Sequence, residues 1–199
     1  MFLGSWSGRA AVFKVRKRLA YRLEALDTTI RRQRTVHEAG MIASAKRAGV
    51  DAPFLYFLSE PDTTIVMEYV EGSRMKDAVS GSGAKAAAAL FRQLGTSVAR
   101  LHVAGIMHGD VTTANVIIRD GQLVFIDFGL SIHSARLEDH AVDLRLIKET
   151  ITGAHASVAR AGTEALFDGY REVVGDRAMA SVLRQLTEIE RRGRYARFE

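Results

Sequence analysis

The stretch that most constrains this chain runs from Ile106 to Ser131 and reads IMHGDVTTANVIIRDGQLVFIDFGLS. Two apolar runs, Val116 to Ile118 and Leu123 to Ile126, flank Asp120-Gly121. An Asp-Gly pair between strands closes a tight hairpin, because glycine tolerates positive φ. His108, Asp110 and Asn115 stand just before the first strand, and Asp127, Phe128 and Gly129 just after the second. A hairpin brings its ends together, so Asp110, Asn115 and Asp127 are expected to converge at one edge. Three oxygen-bearing side chains there suit one task. An Asn and an Asp can hold Mg²⁺ on a nucleotide's phosphates while a second Asp orients the incoming hydroxyl.

The pattern His-x-Asp, an Asn five residues after the Asp, and Asp-Phe-Gly twelve residues after the Asn resembles the catalytic and metal loops of protein kinases. Either triplet alone is common in turns, where Asp, Gly and Asn abound. Both in this order, across a hairpin, make the chain kinase-like. Asp110 takes the catalytic position, and Asn115 and Asp127 the metal positions.

The rest of the chain frames that reading. With 199 residues, 47% hydrophobic and 26% charged, it has the composition of a globular domain. It is short for a protein kinase with a full set of C-terminal helices. The absence of cysteine excludes disulfides and thiolate metal sites and fits a cytoplasmic setting. No apolar run reaches the length of a membrane span, so no membrane association is expected. The net charge of +5 favours polyanionic partners.

Ala10 to Arg16, AAVFKVR, reads as a strand. Period two places Val12 beside Lys14, and Phe13 and Val15 on the other face. A lysine within an apolar strand must be paired or exposed. The kinase reading makes it the strand lysine that contacts the α- and β-phosphates of ATP, with Val12 against the nucleotide. It also requires a helical glutamate. From about Thr28 to Ala48 the chain lacks proline, and Glu38, Met41, Ile42 and Ala45 share one apolar face. Lys14 is the natural partner for Glu38. Arg31, Arg32, Arg34, Lys46 and Arg47 fall on the opposite side.

Two strands, Phe54 to Leu58 and Thr63 to Val70, precede the break at Glu71-Gly72-Ser73. At this place in a kinase the backbone bonds adenine. Met67 is then expected at the back of the nucleotide pocket, with the Glu68 carbonyl facing adenine. The remainder reads as helical: Ala84 to about Ala104, ended by Gly105; Glu138 to Thr152; about Val158 to Val174, ending near Gly175; and a last helix from Asp176. His102 reads as a surface or packing histidine, and Asp143 falls on a partly apolar face. The tail carries Arg191, Arg192, Arg194 and Arg197.

HGDVTTAN, IDFGLS, EDHAVDL, RTVHEAG, MEYVEG and the Arg-rich end together resemble the small atypical kinase subunit of the KEOPS complex, in order from about Gly8 to Arg197. The resemblance implies an α+β fold, a minimal two-lobed protein-kinase architecture. Its N-lobe would span 1–71 and its C-lobe 72–199. It also implies ATP and Mg²⁺ as cofactors, and support of threonylcarbamoyladenosine formation in tRNA through ATP hydrolysis or Ser/Thr phosphorylation. The implied partners are the catalytic subunit and the other complex subunits, with tRNA against the basic tail. Gly109 replaces the arginine that answers an activation-loop phosphate, Thr112 a frequent lysine, and Ala114 a usual serine. No Ala-Pro-Glu follows the DFG. Only thirteen residues precede Lys14, so the first kinase strand and its glycine loop are expected to be missing, with Gly4 and Gly8 in the turn before the lysine strand. A small-molecule phosphotransferase of the aminoglycoside-kinase kind, which shares an HGD loop, and a non-catalytic scaffold are the alternatives.

Overall fold

A computed structural model describes residues 1–195, with side chains described to 192. The chain opens with the hairpin β1 (Phe2–Trp6) and β2 (Arg9–Val15). It turns through Ser7 and Gly8, both at positive φ (50° and 77°), the geometry that matches the twist of the flanking strands. Gly8 is therefore in the turn, as expected. Gly4 is not: it lies inside β1 opposite Ala11, under the Phe13 ring.

Helix α1 (Glu24–Arg47) follows. Glu24 and Asp27 in its first turn and Lys46 and Arg47 in its last complement the helix dipole, and Gly49 at φ 75° ends it. The helix begins at Glu24, one turn ahead of the expected Thr28. That places Asp27 inside the helix and completely buried. Next come β3 (Leu55–Ser59) and β4 (Thr64–Glu68). The antiparallel sheet has the order β1-β2-β4-β3, and Val12 stands opposite Met67 and Lys14 opposite Ile65. Among the described residues it has four strands. Its outer face is aromatic: Phe13 stacks on Phe2 at 5.0 Å, and Trp6 on Phe57 at 5.1 Å.

Beyond Gly72 the fold changes character. Strand β5 (Ser73–Arg74) leads into α2 (Met75–Ser80) and α3 (Ala84–Val103). Strand β6 (Ile106–Met107) precedes the central hairpin, β7 (Val116–Arg119) and β8 (Gln122–Phe125). That hairpin closes through Asp120 and Gly121 at φ 51° and 77°, the tight turn expected of the sequence. Strand β9 (Ile132–His133) pairs with β6. Helices α4 (Leu137–Ala154) and α5 (Ala159–Tyr195) complete the chain, α5 breaking at Gly175 (φ 80°, ψ 165°) where two helices were expected to meet.

The core lies between α3, α4 and α5, filled by Phe91, Leu94, Leu101, Leu144, Ile147, Leu166 and Tyr170, each at most 1% exposed. Helices α3 and α5 touch backbone to backbone. A Cβ on Gly95 would overlap the Leu166 carbonyl, and one on Gly169 the Arg92 carbonyl. No helix of the described residues is long and apolar enough to cross a membrane.

Candidate active site

The central hairpin does what its sequence predicts. The Ile126 amide donates to the Asn115 carbonyl at 3.0 Å, which fixes the two strand ends side by side. The Asn115 Nδ2 donates both to the Asp110 carbonyl (3.0 Å) and to its Oδ2 (2.9 Å). Asn115 and Asp127 line one cavity of about 520 Å³, together with Val12, Met67 and Glu68. Asp110, Asn115 and Asp127 are thus gathered from three places in the motif to one edge.

Lys14 reaches that edge from the sheet. Its Nζ is 2.5 Å from Glu38 Oε1 and 3.0 Å from Asp127 Oδ1. The expected Lys14–Glu38 pair is present, and the lysine is shared. Sequence reasoning missed Arg16, whose guanidinium lies 2.6 Å from the other Glu38 oxygen. Glu38 is fully buried, and a buried carboxylate needs opposite charge and hydrogen bonds on its oxygens. Two cations meet that need. Burial pushes the Asp127 carboxyl upward, but the Lys14 charge and the Gly129 N–H outweigh it and hold it below the usual carboxylate range.

One expectation is corrected here. Arg31 does not sit on the side opposite the buried stripe. Its Nε donates to the buried Asp27 at 2.7 Å and its NH1 to Thr63 Oγ1 at 3.2 Å; the helix start at Glu24 places the carboxylate one turn before it. Of the surface and packing readings of His102, the structure bears out packing. The residue is 4% exposed, with Nδ1 2.8 Å from the Tyr170 hydroxyl and Nε2 3.2 Å from Asp143.

Asp143 is the largest omission. Its Oδ2 accepts from the His108 amide (2.6 Å) and its Oδ1 from the Gly109 amide (2.8 Å), so α4 holds the HGD backbone from below. Asp143 in EDHAVDL, on a partly apolar helix face, was the available signal: a carboxylate placed on a buried helix face needs donors, and the loop amides supply them. Gly109 has a structural reason as well. It lies at φ 81°, and a Cβ there would come within 2.5 Å of the Leu130 carbonyl, so an arginine would not fit this loop. The loop is tied on its other side by Ser131 Oγ donating to the His108 carbonyl at 2.9 Å, and His37 of α1 lies 2.6 Å from the Ser131 carbonyl.

At the strand end, the Glu68 carboxylate is engaged by Arg119 (2.5 Å) and by the Phe54 amide (3.0 Å). Its side chain therefore braces β4 against β7, which leaves the main chain as the part that can face a ligand.

The donor set fits a hard cation. With both Asn115 N–H groups turned to Asp110, its amide oxygen has no partner among the described residues. The second Asp127 oxygen likewise has none. Mg²⁺ prefers oxygen ligands and is commonly held by one or two side chains plus substrate phosphates.

Comparison with known proteins places this geometry in context. The protein kinase domain family matches residues 10–153. The "KEOPS complex subunit Bud32" of Pyrococcus abyssi (strain GE5 / Orsay) is 36% identical over 92% of this chain and 84% of its own length. A "probable bifunctional tRNA threonylcarbamoyladenosine biosynthesis protein" of Methanothermobacter thermautotrophicus (strain ATCC 29096 / DSM 1053 / JCM 10044 / NBRC 100330 / Delta H) is 37% identical over 98% of this chain, which spans only 35% of that protein. Among solved structures, the Rio2 kinase–ADP/Mg²⁺–phosphoaspartate complex from Chaetomium thermophilum superposes with a TM-score of 0.60 over 96% of this chain and 70% of its own, at 19% identity. That last likeness is one of fold.

Proposed function

Starting from the fact that this chain belongs to the Bud32 family of kinase-like KEOPS subunits, we propose that it binds Mg²⁺·ATP and cleaves the terminal phosphate in support of threonylcarbamoyladenosine formation on tRNA. The observation that carries the reading is the convergence of Lys14, Asp110, Asn115 and Asp127 around one cavity edge. In this reading Val12 and Met67 pack on adenine, and the Glu68 main chain bonds its edge. Lys14, oriented by Glu38, takes the α- and β-phosphates. Asn115 and Asp127 would hold Mg²⁺, which would supply charge neutralisation for phosphoryl transfer. Asp110, kept in place by the Asn115 amide, orients the attacking hydroxyl or water and accepts its proton.

ATP hydrolysis is favoured over broad protein phosphorylation, because the segment between Gly129 and α4 is short and lacks Ala-Pro-Glu. We place the lobe boundary at 71/72. Gly72 lies at φ 150°, and a Cβ there would overlap the Ile118 carbonyl, so the chain passes tightly against β7 where it leaves the sheet. The partners are the catalytic subunit and other subunits of a KEOPS-type assembly, the setting is cytoplasmic, and the basic tail lies near tRNA phosphates.

Turnover by site variants tests the reading. Asp127→Ala is expected to abolish ATP turnover with the fold retained by circular dichroism. Asp110→Ala should lower turnover by roughly 10²–10⁴, the range of a positioned base. Full activity in either variant overturns the mechanism.

A further inference from the structure

The HGD segment hangs on Asp143, and Asp143 is itself held by His102. We propose that Tyr170, on α5, is a positioning residue that fixes the orientation of the His102 ring and through it the carboxylate that anchors the loop. The role rests on the reading of HGD as the catalytic loop.

For a neutral His102 ring, the hydrogen bonds leave one assignment of protons. Asp143 is fully buried and its oxygens only accept. Its Oδ2 is 3.2 Å from His102 Nε2, so that nitrogen carries the proton. In a neutral imidazole the other nitrogen must then accept. Among the described residues, Nδ1 faces the Tyr170 hydroxyl at 2.8 Å, and a phenol can donate. Burial and the Asp143 charge push the Tyr170 hydroxyl well above its ordinary pKa, so it keeps its proton. The order is Tyr170 O–H to Nδ1, Nε2–H to Asp143, and Asp143 to the amides of His108 and Gly109.

The surroundings hold this chain of bonds rigid. His102 and Tyr170 are 4% and 1% exposed, so water does not substitute for either. His140 stacks on the His102 ring at 4.2 Å and 6°, while its own Nε2 lies 3.1 Å from the Ser134 carbonyl. The hydroxyl is aimed by the helix crossing: Gly169, next to Tyr170, lies against the Arg92 carbonyl of α3. With the hydroxyl removed, Nδ1 is left without that donor while Nε2–H still donates to Asp143, so the ring loses one of the two bonds that set its orientation, and the carboxylate can shift against the His108 and Gly109 amides.

The test reads protons before it reads activity. In the full-length wild-type chain, ¹⁵N NMR of the histidine rings is expected to show His102 with Nε2 protonated and Nδ1 bare. In Tyr170→Phe, which keeps the ring, Nε2 should stay protonated, the Nδ1 signal should shift as it loses its donor, and the amide proton shifts of His108 and Gly109 should move. ATP turnover in that variant should fall roughly 2–10-fold in kcat, the effect of one ordinary hydrogen bond, with KM for ATP within about twofold. A wild-type His102 that is protonated at Nδ1, or at both nitrogens, overturns the proposal without need of a variant. So does a Tyr170→Phe protein with unchanged His102 and loop signals. If wild type hydrolyses no ATP, the catalytic reading fails, while the ring and amide signals still decide the role of Tyr170.

Discussion

At the residue scale, charge compensation is the organising constraint. Glu38 is buried between Lys14 and Arg16, and of these two Lys14 also touches Asp127. If Lys14 turns to phosphate, Arg16 keeps Glu38 compensated. Arg16→Ala should therefore cost about 1.5–3 kcal/mol, the worth of a hydrogen bond to a charged group, seen as a lower urea midpoint. Arg16→Lys should recover part of it. The buried histidines set a pH dependence. Burial lowers His108 against the charges of Asp143 and Asp110, lowers His140, and lowers His155 together with Lys76. A histidine whose folded pKa lies below its ordinary value of 6.5 leaves the unfolded chain to take up protons first. Its stability contribution is full above pH 6.5 and is lost as pH falls below it. Asp127, with a lowered carboxyl, adds a second loss as pH falls below its ordinary value of 3.8. Urea midpoints measured from about pH 8 to about pH 5 should be flat at first and then decline; a midpoint that rises on acidification contradicts the burial account.

At the scale of elements, the crossing of α3 and α5 depends on two small residues. Gly95 and Gly169 each face a carbonyl of the partner helix with no room for a methyl group. Gly169→Ala must push the helices apart, at a cost of about 1–3 kcal/mol for overpacking, read as a lower thermal midpoint. The central hairpin was legible in sequence because its turn, strands and polar ends are contiguous. The β2 register was too, since period two puts Val12 and Lys14 on one face. The side chains that hold the loop were not, because Asp143, His102 and Tyr170 come from three helices and nothing local announces their meeting. Arg31 was misplaced for a narrower reason: a helix start set at Thr28 left Asp27 outside the helix, so the i,i+4 pair was invisible.

At the scale of the whole molecule, the excess of positive charge becomes a matter of partners. Arg192 of the terminal helix lies 3.8 Å from both Glu138 and Glu188, carboxylates that are more than two-fifths exposed, so these pairs contribute little. The side chains of Arg194 and Arg197 lie outside the described residues. Deleting 191–199 is expected to weaken tRNA binding by the assembled complex and to leave ATP binding by the subunit unchanged. For every phosphate the tail neutralises, its removal should reduce the salt slope by roughly 0.7–0.9. Unchanged affinity and salt dependence would mark the tail as a solvated end.

The Lys14–Asp127 ion pair also has a consequence in time. Its partners are 113 residues apart in the chain, whereas the two hairpins close through adjacent residues. Local turns form in microseconds, while a pairing of high sequence separation waits until the intervening chain has been ordered. The sheet and the helical half can each mature before this bond joins them, so the lysine meets the aspartate late in folding. Competence at the cavity edge is then expected late in folding, after the two hairpins have closed.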